Sequence, residues 1–183
     1  MHKEFEPAAA PEGYVPPRSA EELLTRYAAG ERHFQDAILG GAELAGADLR
    51  GANFEDADME DAVLCGADLS GAWLRTANLE DADLTGAKLV NANLRGTYFH
   101  GANFTEANLT DANLPSGNGH HACFEGAILV EAHMRFVNLI AANMKGADLR
   151  RANMEGARLA RTDFEGANLE GATTEGSTLA PTF

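Results

Sequence analysis

Residues 77–94 read ANLEDADLTGAKLVNANL, with a leucine at every fifth place: Leu79, Leu84, Leu89 and Leu94. Two places before each stands alanine: Ala77, Ala82, Ala87 and Ala92. Worked outward, the same register runs in frame from Phe34 to Leu179. Of its 30 large-residue places, 28 hold Leu, Phe or Met, and the exceptions are Gly119 and Thr174. Alanine fills 24 of the 30 places two before the large residue, and Asp or Asn fills 17 of those between. Glycine fills 14 of the places two after it. The unit is A-[DN]-[LF]-x-x, and position i denotes its large residue.

A period of five excludes both ordinary elements. At 3.6 residues per turn it would smear the apolar stripe around a helix. In a plain strand an odd period would turn the side chain to the opposite face at each repeat. The pattern works when each unit is a short extended piece followed by a corner. Positions i−2 and i then point inward, and i−1, i+1 and i+2 point out. Glycine and Asp/Asn near the corner suit tight turns. Many of the 45% hydrophobic residues are alanine and only 7% are aromatic, so the architecture must bury small side chains efficiently.

This repeat is the signature of the pentapeptide-repeat family, which the chain resembles over residues 34–179. The resemblance implies four units per coil and an all-β solenoid, a right-handed quadrilateral β-helix. Thirty units give about seven and a half coils, stacked at the strand spacing into a rod of about 36 Å. One internal pattern favours a four-unit coil independently. Every fourth large residue from Leu49 is leucine: Leu49, Leu69, Leu89, Leu109, Leu129, Leu149 and Leu169.

The ends depart from the repeat. Residues 1–18 hold four of the six prolines and no periodicity, and read as a flexible tail. Ser19 and Glu22 form a capping box, followed by Leu23, Leu24 and Tyr27 at helical spacing and by Gly30 as a stop. A capping helix is expected within 19–30, covering the first coil of a β-helix over 31–179. Residues 180–183 form a short C-terminal tail. Residues 115–121, PSGNGHH, have no large apolar residue but keep the frame. They are expected to form a bulge or an extruded loop, and the leucine column favours the bulge.

The formal net charge is −14, which suits a basic protein partner and disfavours nucleic acid and anionic membrane. Residues 34–114 carry 14 Asp/Glu against 4 Lys/Arg, a net of −10. No apolar run approaches the roughly 18 residues of a membrane span. No signal-peptide core is seen at the N-terminus, so a cytoplasmic location is expected. No P-loop, nucleophile elbow or dinucleotide motif stands in a suitable context, and a rod filled with Leu and Ala has no natural cleft. The expectation is therefore a non-enzyme with no catalytic residue, cofactor or metal.

The candidate partner-binding residues are of two kinds. Glu55, Asp56, Glu60, Asp61, Glu80 and Asp81 form a carboxylate ladder, beside a basic column of Arg75, Arg95 and Arg135. Trp73, Tyr98, Phe136 and Ile140 place large apolar side chains in outward slots, with Tyr98, Phe136 and Ile140 expected near, or beneath, the 115–121 bulge. His120 and His121 lie one coil from His100, two or three imidazoles without a further ligand. Cys65 and Cys123 lie about 14 Å apart along the rod, too far for a disulfide. Some members of the resembled family protect DNA gyrase, a type II topoisomerase, by presenting a DNA-like acidic rod. The resemblance thus implies DNA mimicry as an alternative to a scaffold with another partner. It also implies a homodimer through the C-terminal ends, with Leu179 and Phe183 near the axis.

Overall fold

Each five-residue unit from His33 onward contains one extended residue, at i−1, and then a turn. That extended residue pairs in parallel with the one 20 places on: His33 with Asn53, Asn53 with Trp73, and so on to Asn153 with Thr173. Four units therefore close one coil, and the molecule is a four-sided tube. The computed structural model from which this is read describes residues 7–178. Because corners recur every five residues, each side has room for a single bridge. The sides are ladders of isolated bridges and not strands of ordinary length.

The unit consumes its own backbone donors, as residues 78–82 show. Asn78 N–H donates back to Ala57 O (2.9 Å), and Leu79 N–H donates forward to Tyr98 O (2.7 Å). Asp81 N–H donates forward to His100 O (2.9 Å). Ala82 N–H closes the turn onto Leu79 O (3.1 Å). The remaining donor, Glu80 N–H, is taken by the side-chain oxygen of Asn78 (3.0 Å). This is the physical role of the Asp/Asn column: a carboxamide or carboxylate at i−1 accepts from i+1, as Asn53, Asp68, Asp83, Asn103 and Asn143 also do. Every i+2 residue from Asp36 to Gly176 has a positive φ, the left-handed third position of a type II-like turn, which explains the glycine column.

Inside, the Leu/Phe/Met and Ala columns are buried from Phe34 to Leu159, apart from Ala42 and Ala47 of the first coil, which are half-buried. Each fully buried large side chain contributes roughly 1.5–3 kcal/mol. The phenylalanines stack in register: Phe34 with Phe54 at 5.7 Å, and Phe104 with Phe124 at 4.7 Å. We number the sides by their first large residue: side 1 from Phe34, side 2 from Leu39, side 3 from Leu44 and side 4 from Leu49.

Neither the expected bulge nor the expected loop forms at 115–121. Asn118 bridges both Tyr98 above and Asn138 below, and Gly117 N–H closes its turn onto Leu114 O. The volume missing at Gly119 is filled from the preceding coil. A Cβ on Gly119 would overlap the Phe99 ring, and one on Gly117 would lie 2.7 Å from it. The segment is a regular unit whose core residue is lent by Phe99.

The N-terminal end is built by a helix and a strap. Helix α1 spans Ala20–Ala28; Ser19 caps it by accepting from Glu22 N–H. Its Leu23 is buried and its Tyr27 stacks on Phe34 at 6.4 Å. The reading of residues 1–18 as a flexible tail is corrected for 14–17. Pro17 O accepts the Ile38 N–H at 2.9 Å, doing for the first coil what a preceding coil does elsewhere. Tyr14 and Tyr27 hydroxyls donate to Gln35 O (2.9 Å) and Arg50 O (3.0 Å), equivalent upward-facing carbonyls on sides 1 and 4. Arg26 ties strap to helix, donating to Val15 O and pairing with Glu22 and Glu31. At the other end Phe164 is half-buried and Leu169 is 38% exposed. The expected dimer residues Leu179 and Phe183 lie outside the described residues.

Candidate protein-interaction surface

Outward slots repeat every 20 residues, so each side presents columns of stacked side chains. On side 2 the column at i+1 and i+2 runs Glu60-Asp61, Glu80-Asp81, His100-Gly101, His120-His121, Ile140-Ala141, Ala160-Arg161. Its middle column runs from the exposed Ile38 of the first coil through Asp58, Asn78, Tyr98, Asn118 and Asn138 to Arg158. The candidate carboxylates Glu60, Asp61, Glu80 and Asp81 thus share one side, and Asp58 joins them. Glu55 and Asp56 stand at the neighbouring corner, on side 1.

The carboxylates of side 2 are held without cations. Asn78 lies between Asp58 and Glu60, its amide 3.3 Å from each, and at the neighbouring corner of side 1 Thr76 donates to Asp56. The Asp81 carboxylate lies over Gly101, where a Cβ would overlap it. The expected neutralising column acts only in part. Arg75 pairs with Glu55 at 3.5 Å, but Arg135 turns away to Glu155 at 2.9 Å.

On sides 1 and 4 acids and bases are interleaved, while side 3 carries Glu43, Asp83, Glu106 and Glu125 before its one cation, Lys145. Side 4 pairs Arg50 with Asp48, Lys88 with Asp68, Arg150 with Asp148 and Arg151 with Glu131. Side 3 pairs Lys145 with Asp163 and Glu165. The Arg50 guanidinium holds the Asp48 carboxyl well below the usual carboxylate range, helped by the Arg50 backbone N–H. Among the described residues, no ion pair falls on side 2.

The aromatic candidates separate in the structure. Tyr98 is 48% exposed and Phe136 is 56% exposed, so the 115–121 segment does not fold over them. Ile140 and Trp73 are half-buried, and Trp73 lies on side 1, away from the carboxylates of side 2. Phe136 stands at the corner between sides 1 and 2 with a φ of 57°, a position costly for a bulky residue. Its ring lies over Gly156, where a Cβ would come within 2.5 Å of it, and Arg135 approaches its face at 5.2 Å.

His100, His120 and His121 do meet. Their ring centroids lie 5.5, 5.9 and 4.1 Å apart. Loss of solvation, then His121, His100 and Arg158, hold the His120 imidazole below its ordinary pKa. Among the described residues, no group of three or more His, Cys, Asp or Glu is placed to hold a metal ion. Cys65 and Cys123 are free and half-buried. Arg158 and Arg161, absent from the candidates read from the sequence, close the lower end of side 2. Sorting all charged slots by side would have found them.

The repeat model described as pentapeptide repeats, in eight copies, matches residues 33–64, 42–81, 77–114, 120–156 and 138–176. The chain belongs to the pentapeptide-repeat family. The four-sided coil is therefore that family's right-handed quadrilateral β-helix. A pentapeptide-repeat protein from the Arabidopsis thaliana thylakoid lumen is 38% identical over 52% of this chain and 67% of its own, with a TM-score of 0.51. The protein Rfr23 from the cyanobacterium Cyanothece 51142 is 34% identical over 52% of this chain and 62% of its own, with a TM-score of 0.43. QnrB1, a plasmid-mediated fluoroquinolone resistance protein, is 19% identical over 80% of this chain and 81% of its own, with a TM-score of 0.45. This chain therefore spans under two thirds of the length of Rfr23. No curated protein matches it in sequence. Among the described residues, no helix is long and apolar enough to cross a membrane.

Proposed function

We propose that this chain is a non-enzymatic protein-interaction scaffold that offers an acidic side of its rod to a basic protein partner. The observation that carries this reading is the row of carboxylates stacked in consecutive coils of side 2 that, among the described residues, no lysine or arginine neutralises, while side 4 pairs most of its own. Leaving like charges stacked costs stability, and a cationic partner returns that cost on binding. The Leu/Ala-filled interior and the turn role of the Asp/Asn column, read over the described residues, support a reading without a catalytic site, which needs a concave, water-excluding cavity. A cytoplasmic location and a homodimer through the C-terminal ends belong to the same reading.

The test is the replacement of Glu60 and Glu80 by Gln and of Asp61 and Asp81 by Asn, which keeps shape and removes charge. Binding to the partner captured from native extract should weaken and lose its salt dependence. Unchanged affinity at low salt would return these residues to a merely solvated surface.

A second reading is a DNA mimic that binds DNA gyrase or another type II topoisomerase and modulates or protects it. The net charge of −10 over residues 34–114 favours it, because that acidity is spread over several consecutive coils. A gyrase supercoiling assay with and without the protein decides between the two. No effect on supercoiling, or on its inhibition by a quinolone, removes this second reading.

A further inference from the structure

Side 2 is zoned along the rod axis, and the zones are of three chemistries. Its second and third coils carry Asp58, Glu60, Asp61, Glu80 and Asp81 with no cation among them. Its middle carries exposed Tyr98, the histidine group, and the Asn118–Asn138 amide ladder at 2.9 Å. Ile140, Ala141 and Ala160 follow, and Arg158 and Arg161 end it, both exposed and, among the described residues, without an ion pair. Sides 1 and 4 set most of their cations against acids of the same or the next coil, and side 3, acidic at Glu43, Asp83, Glu106 and Glu125, ends on the paired Lys145. Among the described residues, side 2 alone sets acids at one end and unpaired cations at the other, which is what a surface shows when its pairing partners lie outside the molecule.

We infer that side 2 docks one axially aligned segment of another protein, basic at one end, apolar in the middle and acidic at the other. This deepens the acidic-scaffold reading and rests on it. From Glu80 to Arg161 is four coils, about 19 Å at the strand spacing. A helix of about 13 residues spans that distance. Its cations meet the carboxylates, its apolar face lies on Tyr98 and Ile140 with Phe136 at the rim, and its acids meet Arg158 and Arg161. A second copy of this chain fits less well, since two arginines would face five carboxylates and each copy carries a formal charge of −14.

Two labelled helical peptides of about 16 residues test this by fluorescence anisotropy at low salt. One carries lysines at one end, leucine and alanine in the middle and glutamates at the other end. The second carries lysines at both ends. The wild-type protein should prefer the first by about three- to tenfold, the contribution of two exposed arginine–glutamate pairs. Arg158→Glu with Arg161→Glu should reverse that preference; both lie on the surface, and circular dichroism checks that the fold is kept. Tyr98→Ala should weaken both peptides alike. Equal binding of the two peptides, or no reversal in the double variant, overturns the zoned segment while leaving the acidic scaffold standing. Loss of all dependence on the four carboxylates sinks the scaffold reading itself. Self-association by sedimentation that the arginine variant abolishes assigns side 2 to a second copy and also overturns the inference.

Discussion

Two residues break the repeat in opposite ways, and each break is compensated one coil away. Gly119 lacks the large core side chain, and Phe99 occupies the space. In the sequence this reads as an interruption, because a column scan counts side chains per unit and not volume shared between coils. Gly119→Leu should therefore overpack the core and cost about 1–3 kcal/mol in chemical denaturation. Phe99→Ala in the same chain should restore part of that loss, since the two positions share one volume. Additive losses would show that the ring and the glycine are not coupled. Phe136 is the converse case, a bulky residue at a left-handed corner where fourteen other units place glycine. Such a conformation costs of order 1–3 kcal/mol for a non-glycine residue. Phe136→Gly should leave the melting temperature unchanged or raise it, while weakening partner binding. A lower melting temperature would mean that the Phe136–Gly156 contact is a structural one.

Among the elements, the coils were legible from the sequence and the strap was not. The five-residue period, the alanine column and the Asp/Asn column each correspond to a direct contact in every coil. The capping box at Ser19–Glu22 was equally readable, because its hydrogen bond is local. Tyr14 and Pro17 were not, since their partners Gln35 and Ile38 lie 21 residues on, and no periodicity marks a segment that meets the rod only once. Their contribution can be titrated. Burial pushes the Tyr14 hydroxyl up to about 12, and the same cause raises that of Tyr27. The folded protein holds these protons above pH 10, where an unfolded tyrosine releases them. The stabilisation is complete below pH 10 and is lost as pH rises toward 12. Absorbance of tyrosinate should show delayed ionisation of Tyr14, and melting temperature should fall over the same window. Tyr14→Phe should remove part of that alkaline loss. A variant with the wild-type alkaline profile would show that the hydroxyl does not hold the first coil.

For the whole molecule, the two ends of the described rod are unequal, and the proposed homodimer rests on that difference. At the N-terminal end Leu23, Pro17 and two tyrosine hydroxyls cover the first coil. At the other end the last described coil leaves Phe164 half-buried and Leu169 38% exposed. There Leu159 N–H donates to the Thr178 hydroxyl at 3.2 Å, where the coils above use a backbone carbonyl. A coil with open donors and apolar side chains at its edge is a surface for pairing with another chain. A two-fold axis through that end would stack one last coil on another and bury both. Light scattering should then give a mass near twice 19.4 kDa. Leu179→Glu with Phe183→Glu should bring it to the monomer value. The charge distribution favours this arrangement over side-by-side association, because end-to-end rods keep their acidic coils far apart, beyond the Debye length of about 8 Å at physiological salt. Raising the salt should consequently leave the dimer intact. A wild-type protein that is monomeric at tens of micromolar, or a dimer that appears only at high salt, would rule out assembly through the C-terminal end.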